Sequence, residues 1–259
     1  MDDNKTPAQD IFERWRSITS ARIGLMRSGQ GISTRVMLEF QIAFAQARDA
    51  VHSRLDTAAL ANALGSDTIV THSAAPDRIA YLMDPGLGRR LASDAVIAGD
   101  AFEAVIVVAD GLSATAVQRH APEIVHALRA HMSDWKIAPI VIAEQARVAI
   151  GDDIGSRFGA DLVIVLIGER PGLSAADSVG AYLTWAPLVG RSDSERNCVS
   201  NIRHPGGLHP QIGAANIAWL AEAARGGRLT GIGLKDRFVG PAELESTTPP
   251  SIGDDPNAG

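Results

Sequence analysis

Two hydrophobic rhythms divide this chain near residue 100. Upstream, apolar side chains recur every three or four positions. Val36, Met37, Phe40, Phe44, Ala47 and Val51 make one stripe behind Thr34, a residue type that caps helix N-termini. Asp56 or Thr57 opens a second helix through Leu60, Ala61 and Leu64, with Gly65 placed to end it. Ile69-Val-Thr71 has the composition of a short strand, and Asp84-Pro-Gly-Leu-Gly88 that of a turn. No upstream helix has a continuous apolar surface, so this unit is expected to lean on something else.

Downstream, the rhythm changes to short, β-branched, wholly apolar runs. Ala104 to Ala109, Ile137 to Ala143 and Leu162 to Ile167 read as strands buried on both faces, and Tyr182 to Trp185 as a fourth strand. Ala114 to Met132 behind Ser113, Asp152 to Phe158, and Gln211 to Arg225 read as helices. Strands alternating with helices imply right-handed crossovers and a parallel sheet. The expected class is α/β: a helical N-terminal unit followed by a Rossmann-like parallel sheet with flanking helices. The expected divisions are an N-terminal extension at 1–18, a mainly helical domain at 19–98, an α/β domain at 99–240 and a flexible tail at 241–259. Ile11, Phe12 and Trp15 in the extension need a surface to bury them, whereas the tail is rich in Pro, Gly and Asp.

Composition narrows the function classes. Lys and Arg number 24 against 30 Asp and Glu, a formal charge of −6, so nothing draws a phosphate backbone and nucleic acid is not expected as a partner. A single cysteine, Cys198, permits no internal disulfide and suits a reducing compartment. The start is acidic and lacks the basic and apolar regions of an export signal, and the apolar runs fall far short of the ~18 residues of a spanning helix. A soluble, cytoplasmic chain without membrane contact is expected. The seven histidines show no metal-ligand spacing, so no metal site is expected.

In an open parallel sheet, ligands bind beyond the carboxyl ends of the strands. That rule selects Asp110–Ser113, Glu144–Val148 and Gly168–Gly172. The last is the most shaped, because Pro171 holds Arg170 out of the helical region and Gly172 is conformationally free. Glu169 is an acceptor on a strand end, suited to an amide or hydroxyl; a surface ion pair with Arg170, worth ~0–1 kcal/mol, is its bland alternative. Arg196-Asn-Cys-Val-Ser-Asn-Ile202 is a second dense segment. Its cysteine has no triad signature around it, which favours packing or ligand contact over nucleophilic work. Gly86-Leu-Gly88 and Gly231-Ile-Gly233 begin like a dinucleotide fingerprint but lack the third glycine. The residues alone point to a binding subunit without catalytic machinery. The alternative is a stand-alone nucleotide-binding α/β protein.

Several words along the chain carry a resemblance. They include Thr19-Ser-Ala-Arg-Ile-Gly24, Ala45-Gln-Ala-Arg-Asp-Ala-Val51, Pro76-Asp-Arg78, Leu87-Gly-Arg-Arg-Leu91, Val107-Val-Ala-Asp-Gly-Leu-Ser-Ala-Thr115, Arg147-Val-Ala149, Ile167-Gly-Glu-Arg-Pro-Gly-Leu173 and Arg196-Asn-Cys-Val-Ser-Asn-Ile202. Over roughly residues 19 to 238 the chain resembles the small (light) subunit family of ethanolamine ammonia-lyase. The resemblance implies a lyase that converts ethanolamine to acetaldehyde and ammonia by adenosylcobalamin radical chemistry. It implies a large-subunit partner, a TIM barrel holding the substrate, in a high-order hetero-oligomer. The chain itself would help bind the corrin and would not be catalytic alone, and 99–240 would be its cobalamin-binding domain. The corrin contacts it implies are Val148, Glu169 and Cys198. No Asp-x-His pair precedes any histidine, which agrees with the base-on cofactor the resemblance implies. In some organisms such enzymes sit in a bacterial microcompartment, a second location alongside the free cytoplasm.

Overall fold

The structure, a computed structural model, describes residues 11–12, 14–15, 23–25, 27–28, 31–65, 67–99 and 101–240. The expected tail and most of the N-terminal extension lie outside the described residues. The chain forms two compact units, residues 1–44 with 239–259, and residues 45–238. In the first, β1 (Arg27–Ser28) and β2 (Gly31–Ile32) pair antiparallel. Helix α1 (Thr34–His52) begins in this unit and ends in the second. Its cap is Ser33, one residue before the expected Thr34: the Ser33 hydroxyl accepts from the Val36 N–H at 3.4 Å. Burial along α1 falls on the small residues Ala43 and Ala50, not on the expected stripe, and Met37, Phe40 and Phe44 are exposed.

The second unit is built on a six-stranded sheet. Its strands are β3 (Thr68–His72), β4 (Ala104–Ala109), β5 (Ile140–Glu144), β6 (Leu162–Gly168), β7 (Val179–Trp185) and β8 (Asn197–Ile202), in spatial order β3-β5-β4-β6-β7-β8. The first four positions in that order are mutually parallel, as the strand–helix alternation predicts. The other two run antiparallel, β7 against β6 and β8 against β7. The reason is connection length. Residues 169–178 alone separate β6 from β7, too few for the crossover of a dozen or more that a parallel neighbour needs. The segment around Cys198, read from sequence as a second dense segment, is an edge strand. Its Val199 and Ile202 are buried and its Cys198 faces out.

Helices cover both faces because the strands are apolar on both. On one face α2 (Thr57–Leu64), α4 (Ala114–His131) and α6 (Pro210–Gly227) bring Leu60, Ile124, Leu128, Ile217 and Leu220 onto Ile106, Val108, Ile142 and Leu166. On the other, α5 (Ile150–Arg157) lays Ile150 and Ile154, with Phe158 beyond its end, on Val105, Val107, Val141 and Val163. The caps are those the sequence predicts: the Asp56 side chain accepts from the Ala59 N–H at 2.9 Å, and Ser113 from the Ala116 N–H at 3.3 Å. A short helix, α3 (Arg78–Met83), precedes the turn at 84–88. Among the described residues no helix is long and apolar enough to cross a membrane.

Candidate functional site

Strand β4 is the origin of the site. From β4 the chain runs through α4 to β5 on one side, then through α5 to β6 on the other, and α4 and α5 cover opposite faces. The connections therefore diverge at β4 and β6 and leave a crevice beyond their carboxyl ends, where open α/β sheets hold ligands. A cleft of about 650 Å³ lies there. Each of the three edge segments selected by the sheet rule contributes to it: Gly111 and Leu112 after β4, Arg147 and Val148 after β5, and Gly168 at the end of β6 with Glu169 and Arg170 after it.

Two close approaches hold the cleft in shape. Gly111 adopts φ +54°, and a Cβ there would lie 2.2 Å from the Gly168 carbonyl oxygen. A Cβ on Gly168 would lie 2.1 Å from the Ser113 carbonyl oxygen and 2.5 Å from that of Asp110. The two loops can touch only because both positions are glycine. The Leu112 N–H then donates to the Gly168 carbonyl at 2.9 Å, tying β4's loop to β6. Asp110 ties it elsewhere. Its buried carboxylate accepts from the Ala146 N–H at 3.0 Å and from Arg78 Nη1 at 3.1 Å, while Arg78 also donates to the Gly111 and Val51 carbonyls. Burial pushes the Asp110 carboxyl above its ordinary value, against the lowering effect of those donors.

Val148 and Glu169 both line the cleft. Val148 also packs on the core under α5. Glu169 is not paired with Arg170. Its carboxylate accepts from the Asn201 N–H, at 3.2 Å to Oε2 and 3.3 Å to Oε1, which leaves lone pairs for a ligand donor. Cys198 lies one strand further out and is not in the lining. It is the cross-strand neighbour of Tyr182, which is. Partial burial, and after it the Glu169 charge, push the thiol upward against the lowering effect of the neighbouring Tyr182 hydroxyl. The upward shift works against a thiolate nucleophile and agrees with a contact role. Tyr182 is likewise raised, first by burial and then by Cys198. Gly88, a member of the first incomplete fingerprint, meets another need: a Cβ there would lie 2.8 Å from the Tyr81 ring and 2.9 Å from Arg147, so glycine permits packing rather than a phosphate cradle. Among the described residues no group of three or more His, Cys, Asp and Glu is placed to hold a metal ion.

The family model for ethanolamine ammonia-lyase light chain (EutC) matches residues 9–235. The chain belongs to that family. It is 47% identical to the ethanolamine ammonia-lyase small subunit of Xanthomonas campestris pv. campestris (strain B100), over 91% of each chain. It is 45% identical to the protein of the same name from Pseudomonas aeruginosa (strain LESB58), over 91% of this chain and 92% of that one. The relative from Azotobacter vinelandii is also 45% identical, over the same shares. The matched span includes the whole sheet and every loop of the cleft.

Among the lining residues of this light-chain fold, Arg147 was selected only as part of the segment Glu144–Val148 and Tyr182 was not selected as a ligand candidate. Arg147 sits beside Val148 in the word Arg147-Val-Ala149, so adjacency was a signal. Tyr182 was read only as part of a strand, and strand residues reveal which face they take only once the neighbours are placed.

A second charged cluster stands away from Glu169. Asp177 accepts from Arg119 at 2.8 Å and from Arg203 at 3.1 Å, and His120 Nε2 is 3.6 Å from it. His120 is 4% exposed, and burial holds its pKa below the ordinary imidazole value despite the Asp177 charge; Arg119 acts in the same direction as burial and Glu123 against it. The unfolded chain therefore binds this proton more readily than the folded one. Stability is expected to fall as pH drops below about 6.5, and His120→Gln is expected to flatten that part of the slope. Urea unfolding of both chains between about pH 7 and 5 reads this. Identical slopes in both would contradict it.

Proposed function

We propose that this chain is the small subunit of an adenosylcobalamin-dependent ethanolamine ammonia-lyase and supplies one wall of the corrin site. The observation that carries this reading is the cleft at the switch point, in which the three edge loops of a light-chain family member converge with Val148 and Glu169 exposed to it. The residues suit a corrinoid. Leu112, Val148 and Ile167 offer an apolar wall to a flat macrocycle, and Glu169 has acceptor capacity for its amide side chains. Cys198 lies beside the wall, opposite Tyr182 on the neighbouring strand, and gives soft contact at its margin. A corrinoid is larger than a cleft of this volume, so a partner must close its other face. When bound, the cofactor supplies the radical that takes hydrogen from ethanolamine on the way to acetaldehyde and ammonia. The chain's own groups bind, orient and exclude water; substrate and turnover belong to the large subunit, a TIM barrel in this reading, within a high-order hetero-oligomer.

The test is cofactor affinity. The large subunit mixed with this chain is expected to bind hydroxocobalamin at least about tenfold more tightly than the large subunit alone, and to release ammonia from ethanolamine only when both chains and adenosylcobalamin are present. Equal affinity and equal turnover without this chain would sink the reading.

We further propose that α1 docks on the large subunit. Leu38 and Ile42 lie one turn apart on one face, and Met37, Phe40 and Phe44 on another, so the helix shows two exposed apolar faces separated by polar positions, with Ile42 and Phe44 59% and 57% exposed. Ile11 and Trp15 are exposed in the same way. Ile42→Asp with Phe44→Asp is expected to weaken assembly about tenfold or more in a titration followed by analytical ultracentrifugation. Deleting residues 1–18 is expected to act in the same direction. Unchanged assembly in both variants would refute the docking.

A further inference from the structure

Arg147 lines the cleft, and its side chain is held without spending its hydrogen-bond donors. Its guanidinium lies over the ring of the fully buried Tyr81, 4.4 Å from the centroid, with Arg78 at 4.8 Å from the same ring. Tyr81 cannot turn away, because its hydroxyl donates to the Ala146 carbonyl at 3.1 Å. The Arg147 backbone is fixed as well, its N–H donating to the Gly88 carbonyl at 2.7 Å. Gly88 leaves room for the stack, as noted above. Among the described residues no group accepts a hydrogen bond from this guanidinium, and its buried Nε has no partner. Buried polar groups in folded proteins are almost always paired; here Nε is covered by protein, and the guanidinium of a residue that lines the cleft keeps its donors for an acceptor placed there. The neighbouring Gln145, held at φ +53°, also has a buried side-chain oxygen without a partner.

We propose that Arg147 is a ligand-binding residue: stacked on Tyr81, it donates to an acceptor oxygen of the corrinoid, either a side-chain amide carbonyl or the phosphate of its nucleotide arm. This rests on the corrinoid reading above. Both acceptors share one chemistry, a fork of N–H donors on an oxygen, which guanidinium provides and a lysine ammonium reproduces only as a point charge. Tyr81 is then a positioning residue that acts through Arg147.

The experiment uses the complex of this chain with the large subunit and titrates it with hydroxocobalamin and with cobinamide, which keeps the amides and lacks the nucleotide arm. Arg147→Met is expected to raise the Kd for hydroxocobalamin about ten- to hundredfold. An equal rise for cobinamide assigns the amide carbonyl, and a normal cobinamide Kd assigns the phosphate. Arg147→Lys is expected to fall between wild type and Arg147→Met, and it decides the matter if the methionine variant does not assemble. Wild-type affinity for both corrinoids in every variant that assembles would overturn the proposal while leaving the corrinoid reading intact. Equal hydroxocobalamin affinity of the unsubstituted complex and the large subunit alone would overturn the reading beneath it.

Discussion

Replacing Asp152 by alanine is expected to lower the unfolding free energy of this chain by about 3–5 kcal/mol, a fall in Tm of roughly 6–20 °C. Asp152 on α5 and Arg196 just before β8 form a bidentate pair. Nη1 donates to Oδ1 and Nη2 to Oδ2, both at 2.7 Å, and each side chain is 1% exposed. Arg196 Nη1 also donates to the Thr184 hydroxyl on β7 at 2.7 Å, and Nη2 to the Arg191 carbonyl at 3.0 Å. One guanidinium thus ties α5, the two antiparallel strands and the loop between them. Removing the carboxylate leaves a buried cation with only the Thr184 hydroxyl, the Arg191 carbonyl and the exposed Asp193 carboxylate, 3.6 Å from Nε, to offset its desolvation. Removing both charges does not, so Asp152→Leu with Arg196→Met is expected to recover much of the loss. Thermal and urea unfolding of Asp152→Leu, Arg196→Met and the double variant form the cycle, with Asp152→Ala measured beside them. A single-variant loss under about 1 kcal/mol, the scale of a surface ion pair, would show that the pair does not act as a buried one. Because Arg196 precedes Cys198 by two residues, the same variant is expected to loosen the margin of the cleft.

The second large effect is steric. Gly168→Ala is expected to destabilise the chain by about 3 kcal/mol or more and to abolish corrinoid binding by the complex, whereas Gly172→Ala four residues on is expected to change neither. The contrast is geometric. At Gly168 the new Cβ meets backbone on two sides, 2.1 Å from one carbonyl oxygen and 2.5 Å from another. Neither obstacle is the flexible end of a side chain, so the loops after β4 and β6 must separate, and the cleft is the gap between them. At Gly172 the nearest atom is 3.8 Å away, an ordinary contact. Differential scanning calorimetry of both variants, with hydroxocobalamin titration of their complexes, measures the pair. A Gly168→Ala chain with wild-type Tm and affinity would mean that the loops do not need this approach.

Much of the α/β unit is legible in its residues. The runs at 104–109 and 162–167 become β4 and β6 almost residue for residue, since a strand buried on both faces must be apolar throughout. Asp56 and Ser113 cap the helices they precede because capping is chemistry within three residues. The sheet rule picks out the loops that line one cleft because it follows from strand direction alone. All three are local or topological consequences of pattern.

Pairings between distant segments were decided only in three dimensions. The strand at 68–72, met in a mainly helical stretch, joins the sheet edge beside β5. The word around Cys198 becomes the opposite edge, and the register of β8 on β7 is what sets Cys198 against Tyr182. Glu169 faces Asn201 instead of its neighbour Arg170, Asp152 finds Arg196 across 44 positions, and Arg147 finds Tyr81 across the turn at Gly88. Sequence by itself determined which segments are the wholly apolar strands, where helices start and at which sheet edge a ligand can lie, because hydrophobic period and capping act over one or two turns. Tertiary structure alone decided which side chains meet there, because that depends on strand order and crossover, which no local pattern encodes.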